Sequence, residues 1–199
     1  MASVDVVIPV YNEERALPVS VPRVLVWFDA HPEHRWRLVI ADNASIDRTL
    51  EVARGLEAAH AGRVVVLHIP VKGRGIALRE AWLTSPADVV CYMDVDLSTD
   101  LGHLPALVDP IAAGEVDLAY GSRLARGART NRSLKRELIS RSYVLILRAL
   151  AGLRVTDAQC GFKAMSREAA RALIPLVRDN AWFFDSELLI VAQTNGFRL

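Results

Sequence analysis

Short apolar runs alternate along this chain with stretches whose apolar residues recur every three to four positions. The runs at residues 4–10, 36–41, 63–69, 89–93 and 116–120 are rich in β-branched and other apolar side chains and are too short for buried helices. They predict five strands. Helical spacing predicts helices near residues 14–30, 47–59, 76–84 and 101–113, with Pro18 and Pro22 delaying or kinking the first. Ser45 is placed to cap the second helix, and Asp47 falls in its first turn. Apolar strands separated by helices predict an α/β fold, a mostly parallel sheet with helices on both faces. A further apolar helix is expected between residues 134 and 153, and another at 187–194. The final residues, Gly196-Phe197-Arg198-Leu199, read as a strand just beginning, as if the C-terminal part of a longer protein were absent.

A chain of 199 residues with 52% hydrophobic content can bury one full core, so a single domain over residues 1–199 is expected. Its two cysteines, Cys91 and Cys160, give neither a disulfide framework nor metal-ligand spacing, and read as buried reduced thiols of a cytosolic site. Neither a leader peptide nor a run of about 18 apolar residues is present to suggest a membrane span.

Charge changes the picture. Between residues 123 and 154 nine basic residues stand against one acid, Glu137, a net of +8 that leaves −7 for the rest of a chain whose formal charge is +1. Leu134, Leu138, Ile139, Val144, Leu145, Ile146, Leu147, Leu150 and Leu153 share this segment. One reading is a core helix with solvated arginines. The other is a basic amphipathic helix lying on a membrane surface, where anionic headgroups contribute about 1 kcal/mol per basic residue.

Polar groups gather where the apolar runs end. Asp94-Val95-Asp96 follows the run at 89–93; as a continuation of a strand, both carboxylates project to one side at the sheet's carboxyl edge, where open α/β sheets hold ligands. Paired carboxylates with all-oxygen ligation suit Mg²⁺ or Mn²⁺ arriving with a substrate phosphate; solvated turn aspartates are the plainer reading. Pro9-Val10-Tyr11-Asn12-Glu13 ends the first run and Asp42 the second, where it either caps a helix or meets a ribose or base. Lys72-Gly73-Arg74-Gly75 is neither a dinucleotide fingerprint nor a Walker loop, and reads equally as an anion cradle or a plain turn.

Taken in order, Pro9-Val10-Tyr11-Asn12-Glu13, Asp42-Asn43-Ala44-Ser45, Lys72-Gly73-Arg74-Gly75, Asp94-Val95-Asp96, Gly121-Ser122-Arg123, Lys135-Arg136-Glu137-Leu138-Ile139-Ser140, Asp157-Ala158-Gln159-Cys160-Gly161-Phe162-Lys163 and Phe184-Asp185-Ser186-Glu187-Leu188-Leu189 span nearly the whole chain. This ordered set resembles the inverting glycosyltransferases of the GT-A fold, specifically the polyprenyl-phosphate (dolichyl-phosphate) glucose and mannose synthases. The last two segments lean toward the glucose branch.

The resemblance implies a Rossmann-like sheet, a nucleotide-sugar half over about residues 1–122 and an acceptor half over about 123–199. It implies a nucleotide-sugar donor, UDP-glucose or GDP-mannose, and a polyprenyl phosphate acceptor reached from the cytoplasmic face of the membrane; no nucleic-acid partner is expected. Pro9, Tyr11, Glu13 and Asp42 would hold the nucleoside, with Lys72, Gly73 and Gln159 also on the donor. Asp94 and Asp96 would manage Mg²⁺ or Mn²⁺, with Ser98 where mannose synthases often carry a glutamine ligand. Arg123, Arg136, Ser140 and Lys163 would grip the acceptor phosphate. Asp185 would be a general base if the acceptor were a sugar hydroxyl, and an N-cap orienting the acceptor pocket if it were a phosphate. Asn43 stands where the family usually has a second carboxylate.

Overall fold

The computed structural model describes residues 1–122 and 134–199, with side chains described over 1–122 and 139–199. The chain runs β1 (Ser3–Val10), α1 (Leu17–Ala30), β2 (Arg35–Asn43), α2 (Thr49–Ala59), β3 (Val64–Ile69), α3 (Arg74–Thr84), β4 (Val89–Met93), α4 (Leu104–Ala112), β5 (Leu118–Tyr120), α5 (Leu134–Ala151), β6 (Phe162–Ser166), α6 (Arg167–Leu173) and α7 (Phe184–Thr194). One sheet takes the order β3-β2-β1-β4-β6-β5. The first four strands are mutually parallel, as largely apolar runs separated by helices predict.

Two apolar layers sandwich the sheet. Val6, Ile8 and Val10 pack with α1, α2 and α4, whereas Val7, Val39, Val90 and Tyr92 face α3, α6 and α7, the period-two alternation of a strand buried on both sides. Helix α1 starts three residues later than its pattern suggests, with Pro18 in its first turn and Pro22 carried inside it. The expected C-terminal strand is not formed. The Arg198 carbonyl instead accepts from the Asp117 and Leu118 N–H groups, and its guanidinium pairs with Asp117.

Strand β6 is the largest departure. It lies antiparallel between β4 and β5, so a segment from late in the chain completes the sheet begun by its first five strands. Away from the ligand edge, Asp5 is buried in β1, where it accepts two hydrogen bonds from Arg37 (2.8 and 2.6 Å) and one from Ser85 Oγ (2.6 Å). Asp5→Ala leaves that partly buried guanidinium without its counter-ion. Urea unfolding is expected to show a loss of about 2–3 kcal/mol.

Candidate active site

The carboxyl ends of β1, β2 and β3 stand in register, with Val10 beside Asp42 and Asp42 beside His68. Beyond β1 the chain turns at Asn12, whose φ of +58° an asparagine tolerates. Asn12 N–H donates to Ser45 Oγ (3.0 Å), its Oδ1 accepts from Ile46 N–H (3.0 Å), and Glu13 N–H donates to Thr49 Oγ1 (2.6 Å). Two loops are laced together this way. Ser45 is therefore engaged here and is not the cap of α2; the Asp47 carboxylate takes the Thr49 N–H and hydroxyl instead. Burial, then the negative charges of Asp96 and Asp47, push the Glu13 carboxyl above its ordinary value. The mouth is thus acid-rich.

Asp42 has no exposed surface. Its Oδ2 lies 2.7 Å from His68 Nδ1, which must donate to a carboxylate, while Oδ1 is buried without a partner among the described residues. His68 was not picked out from sequence, although its place opposite Asp42 in the next strand was the available signal. Asn43, the departure from the family's acid, uses its Oδ1 to hold Gly73 N–H at 2.8 Å.

The Lys72-Gly73-Arg74-Gly75 turn differs from an open anion cradle. A Cβ on Gly73 would lie 2.7 Å from the Asn180 carbonyl oxygen, and one on Gly75 would lie 2.8 Å from the Asn180 carbonyl carbon. The Gly75 N–H is donated to Asn180 (3.1 Å), so both glycines serve close packing of that backbone over the start of α3. Lys72 sits over the Tyr11 ring at 3.7 Å. The Arg74 guanidinium lies near the rings of Tyr92 and Trp182 and pairs with Asp94 Oδ1 at 2.9 Å.

Strand β4 ends at Met93, so Asp94 and Asp96 do not share a strand face as the sequence suggested. They belong to a turn in which Leu97 N–H donates to the Asp94 carbonyl (3.2 Å) and Leu97 adopts φ +51°. Asp96 is exposed, and its Oδ1 accepts the Ser98 N–H at 2.9 Å. Among the described residues no three His, Cys, Asp or Glu side chains gather to hold a metal by themselves. Two carboxylates on one open turn, beside the acid-rich Glu13 mouth, fit a hard divalent ion that completes its oxygen shell from a substrate diphosphate. Mg²⁺ and Mn²⁺ both meet that description.

The segment at residues 158–163 joins this turn to α7. A Cβ on Gly161 would collide with Asp94 Oδ2 and lie 2.8 Å from the carboxyl carbon, so only glycine lets the acid rest there. Lys163, expected on the acceptor phosphate, is instead fully buried: its ammonium donates to Cys160 O (2.6 Å), Ala158 O (3.3 Å) and Asp185 Oδ1 (2.9 Å). With three acceptors for three protons, it has none left for a ligand. The Tyr92 hydroxyl donates to the same Asp185 oxygen, and burial followed by the Asp185 charge raises its own pKa well above the usual phenol range. Asp185 is not the cap of α7. Asp179 takes that part, accepting from Phe184 N–H at 2.9 Å. Gln159 is exposed, with its N–H on Asp157 (3.1 Å), and Pro9 and Tyr11 line the end of β1 half-buried. Ser140 is half-buried on α5; Arg123 and the Arg136 side chain lie outside the described residues.

A family model described as glycosyl transferase family 2 matches residues 5–174. The chain belongs to glycosyl transferase family 2. Among family relatives, it is 39% identical over 198 residues to glycosyltransferase AglD of Haloferax volcanii, covering 98% of this chain and 32% of that protein. It is 30% identical to a dolichyl-phosphate beta-glucosyltransferase of Drosophila melanogaster and 29% to one of Homo sapiens, covering 95% of this chain and 62% of each. The chain therefore spans about a third to three fifths of these relatives. Glucosyl-3-phosphoglycerate synthase of Mycobacterium tuberculosis, solved with Mn²⁺, UDP and phosphoglyceric acid, superposes with a TM-score of 0.66 at 24% identity over 98% of this chain and 65% of that one. The family 2 architecture is thus the Rossmann-like GT-A sheet that the sequence implied.

Proposed function

We propose that this domain transfers a hexose, glucose or mannose, from a nucleotide sugar to a polyprenyl or dolichyl phosphate with inversion at the anomeric carbon. The observation that carries the acceptor assignment is α5. It buries Val144 and Leu147 yet leaves Ile139, Leu145, Ile146 and Leu150 exposed, Leu150 at 82%, and Arg141 and Arg148 are exposed on the same helix. Its Tyr143 hydroxyl lies 2.9 Å from Ser186 Oγ, next to Asp185, so this helix adjoins the candidate acceptor side. No helix among the described residues is long and apolar enough to cross a membrane. A helix of this kind suits lying on one. Relatives named for dolichyl phosphate favour the same reading.

On the donor side, the unpartnered Asp42 Oδ1 suits an N–H of the nucleobase, with Tyr11 and Glu13 at the same mouth. Asp94 and Asp96 would hold Mg²⁺ or Mn²⁺, with Ser98 on the same turn, and the ion would neutralise charge on the departing diphosphate. Lys72 and Arg74 place cationic groups beside that turn. A phosphate oxygen of the lipid attacks the anomeric carbon as the bond to the nucleotide breaks, the electron pair leaving with the diphosphate. An acceptor that is already an anion needs no proton removed, so positioning by Arg123, Arg136 and Ser140 dominates. The competing reading, transfer to a saccharide hydroxyl with Asp185 as base, draws on the second oxygen of Asp185.

The deciding assay supplies radiolabelled UDP-glucose or GDP-mannose with Mn²⁺ and polyprenyl phosphate, and follows label into the organic phase. Label that reaches only water-soluble saccharides would sink the proposal. Leu145→Glu with Leu150→Glu is further expected to abolish co-sedimentation with phosphatidylglycerol vesicles while leaving the melting-temperature rise caused by nucleotide and Mn²⁺ unchanged.

A further inference from the structure

Lys163 stands in the middle of β6 with no exposed surface, and its partner Asp185 is 5% exposed. Asp185 Oδ1 accepts from both the Lys163 ammonium and the Tyr92 hydroxyl. Oδ2 accepts nothing from the described residues, and the side chain keeps 8% of its surface open. The carboxylate is therefore fixed in orientation, with one oxygen closed and one presented. It is also electrically compensated, because its counter-ion sits at 2.9 Å inside the apolar layer that contains Val155, Ala158 and Leu189.

We propose that the buried Lys163–Asp185 pair, steadied by Tyr92, makes Asp185 a charge-neutralised wall of the acceptor pocket that admits an already anionic nucleophile and removes no proton from it. This rests on the reading that the acceptor is a phosphate. A bare carboxylate facing that phosphate repels it, whereas a carboxylate paired with an ammonium presents only a dipole. For Asp185 to act as a base it must take a proton at Oδ2, which leaves the Lys163 cation uncompensated in the core. Among the described residues, the charged and titratable groups around the pair include Tyr92 on β4, Arg74 over the Tyr92 ring, Asp94 paired with Arg74, and Arg79 over the Phe184 ring. Among the described residues it is Lys163 that forms the ion pair with Asp185, at 2.9 Å. The pair is also joined to the donor side. Lys163 donates to the Cys160 carbonyl, and the next residue, Gly161, abuts Asp94.

The test compares Lys163→Met, Asp185→Asn and the double variant for nucleotide-sugar Kd, acceptor KM with a short-chain polyprenyl phosphate, kcat and its pH profile. Lys163→Met leaves an uncompensated negative charge and is expected to raise acceptor KM about tenfold or more, with donor Kd little changed. The double variant leaves neither charge. It is expected to return acceptor KM toward the wild-type value and to keep turnover within about tenfold, with a pH profile no steeper than that of wild type. If a single variant fails to fold, the double variant decides alone, because it buries no unpaired ion. A folded, donor-binding double variant with no turnover would make the Asp185 carboxylate indispensable and overturn the inference. Wild-type turnover with polyprenyl phosphate tests the functional reading separately.

Discussion

Gly161→Ala is expected to lower kcat by about 10²-fold while the protein stays folded, because a misplacement of about 1 Å at a reacting centre can cost that much. The added Cβ would occupy the space of the Asp94 carboxylate. The obstacle is the end of a side chain, so Asp94 gives way and the backbone does not. Asp94 then leaves both Arg74 and the position it shares with Asp96. Circular dichroism and thermal melting would confirm the fold, and steady-state kinetics with saturating donor would read the loss. Wild-type kcat in a folded Gly161→Ala protein would show that the position of Asp94 is unimportant.

Asp96→Ala is expected to cost even more activity and almost no stability. Asp96 is exposed and accepts one hydrogen bond, from Ser98 N–H, so its removal should cost stability only about 0.5–1 kcal/mol. Its proposed part in neutralising the leaving diphosphate is worth several kcal/mol, so turnover should fall by about 10³-fold or more. A second readout avoids reliance on turnover. UDP and Mn²⁺ together should raise the melting temperature of the wild type, and that rise should shrink in the variant. Metal-dependent turnover retained by the variant would contradict the role.

The parallel part of the fold was legible because strands buried on both faces are mostly apolar, and β1 to β4 are, the neighbouring Asp5 and Arg37 pairing with each other. Strand β6 was not, because Lys163 interrupts it with a charge. That lysine is tolerated only once Asp185 arrives from 22 residues further along, a pairing no local pattern reveals. The same non-local pair removed Lys163 from the acceptor phosphate and Asp185 from the helix cap. The acids Asp94 and Asp96 were legible as residues but not as geometry, since strand alternation was extended past Met93 into a turn. Ser45 looked like a cap for a local reason and is engaged by Asn12, which lies 33 residues earlier. His68 could have been found by aligning strand ends rather than reading each strand alone.

The place of β6 in the sheet has a consequence for how the molecule comes into being. Until Phe162–Ser166 has been synthesised, β4 has one open edge and β5 has no strand partner among the described residues. A fragment holding only β1 to β5 would carry sticky, unpaired backbone into solution. The part of the chain before residue 123 thus cannot complete its sheet on the ribosome until β6 is made, and neither part could be exchanged for that of a cousin without re-matching the pleats of the last strand to be inserted.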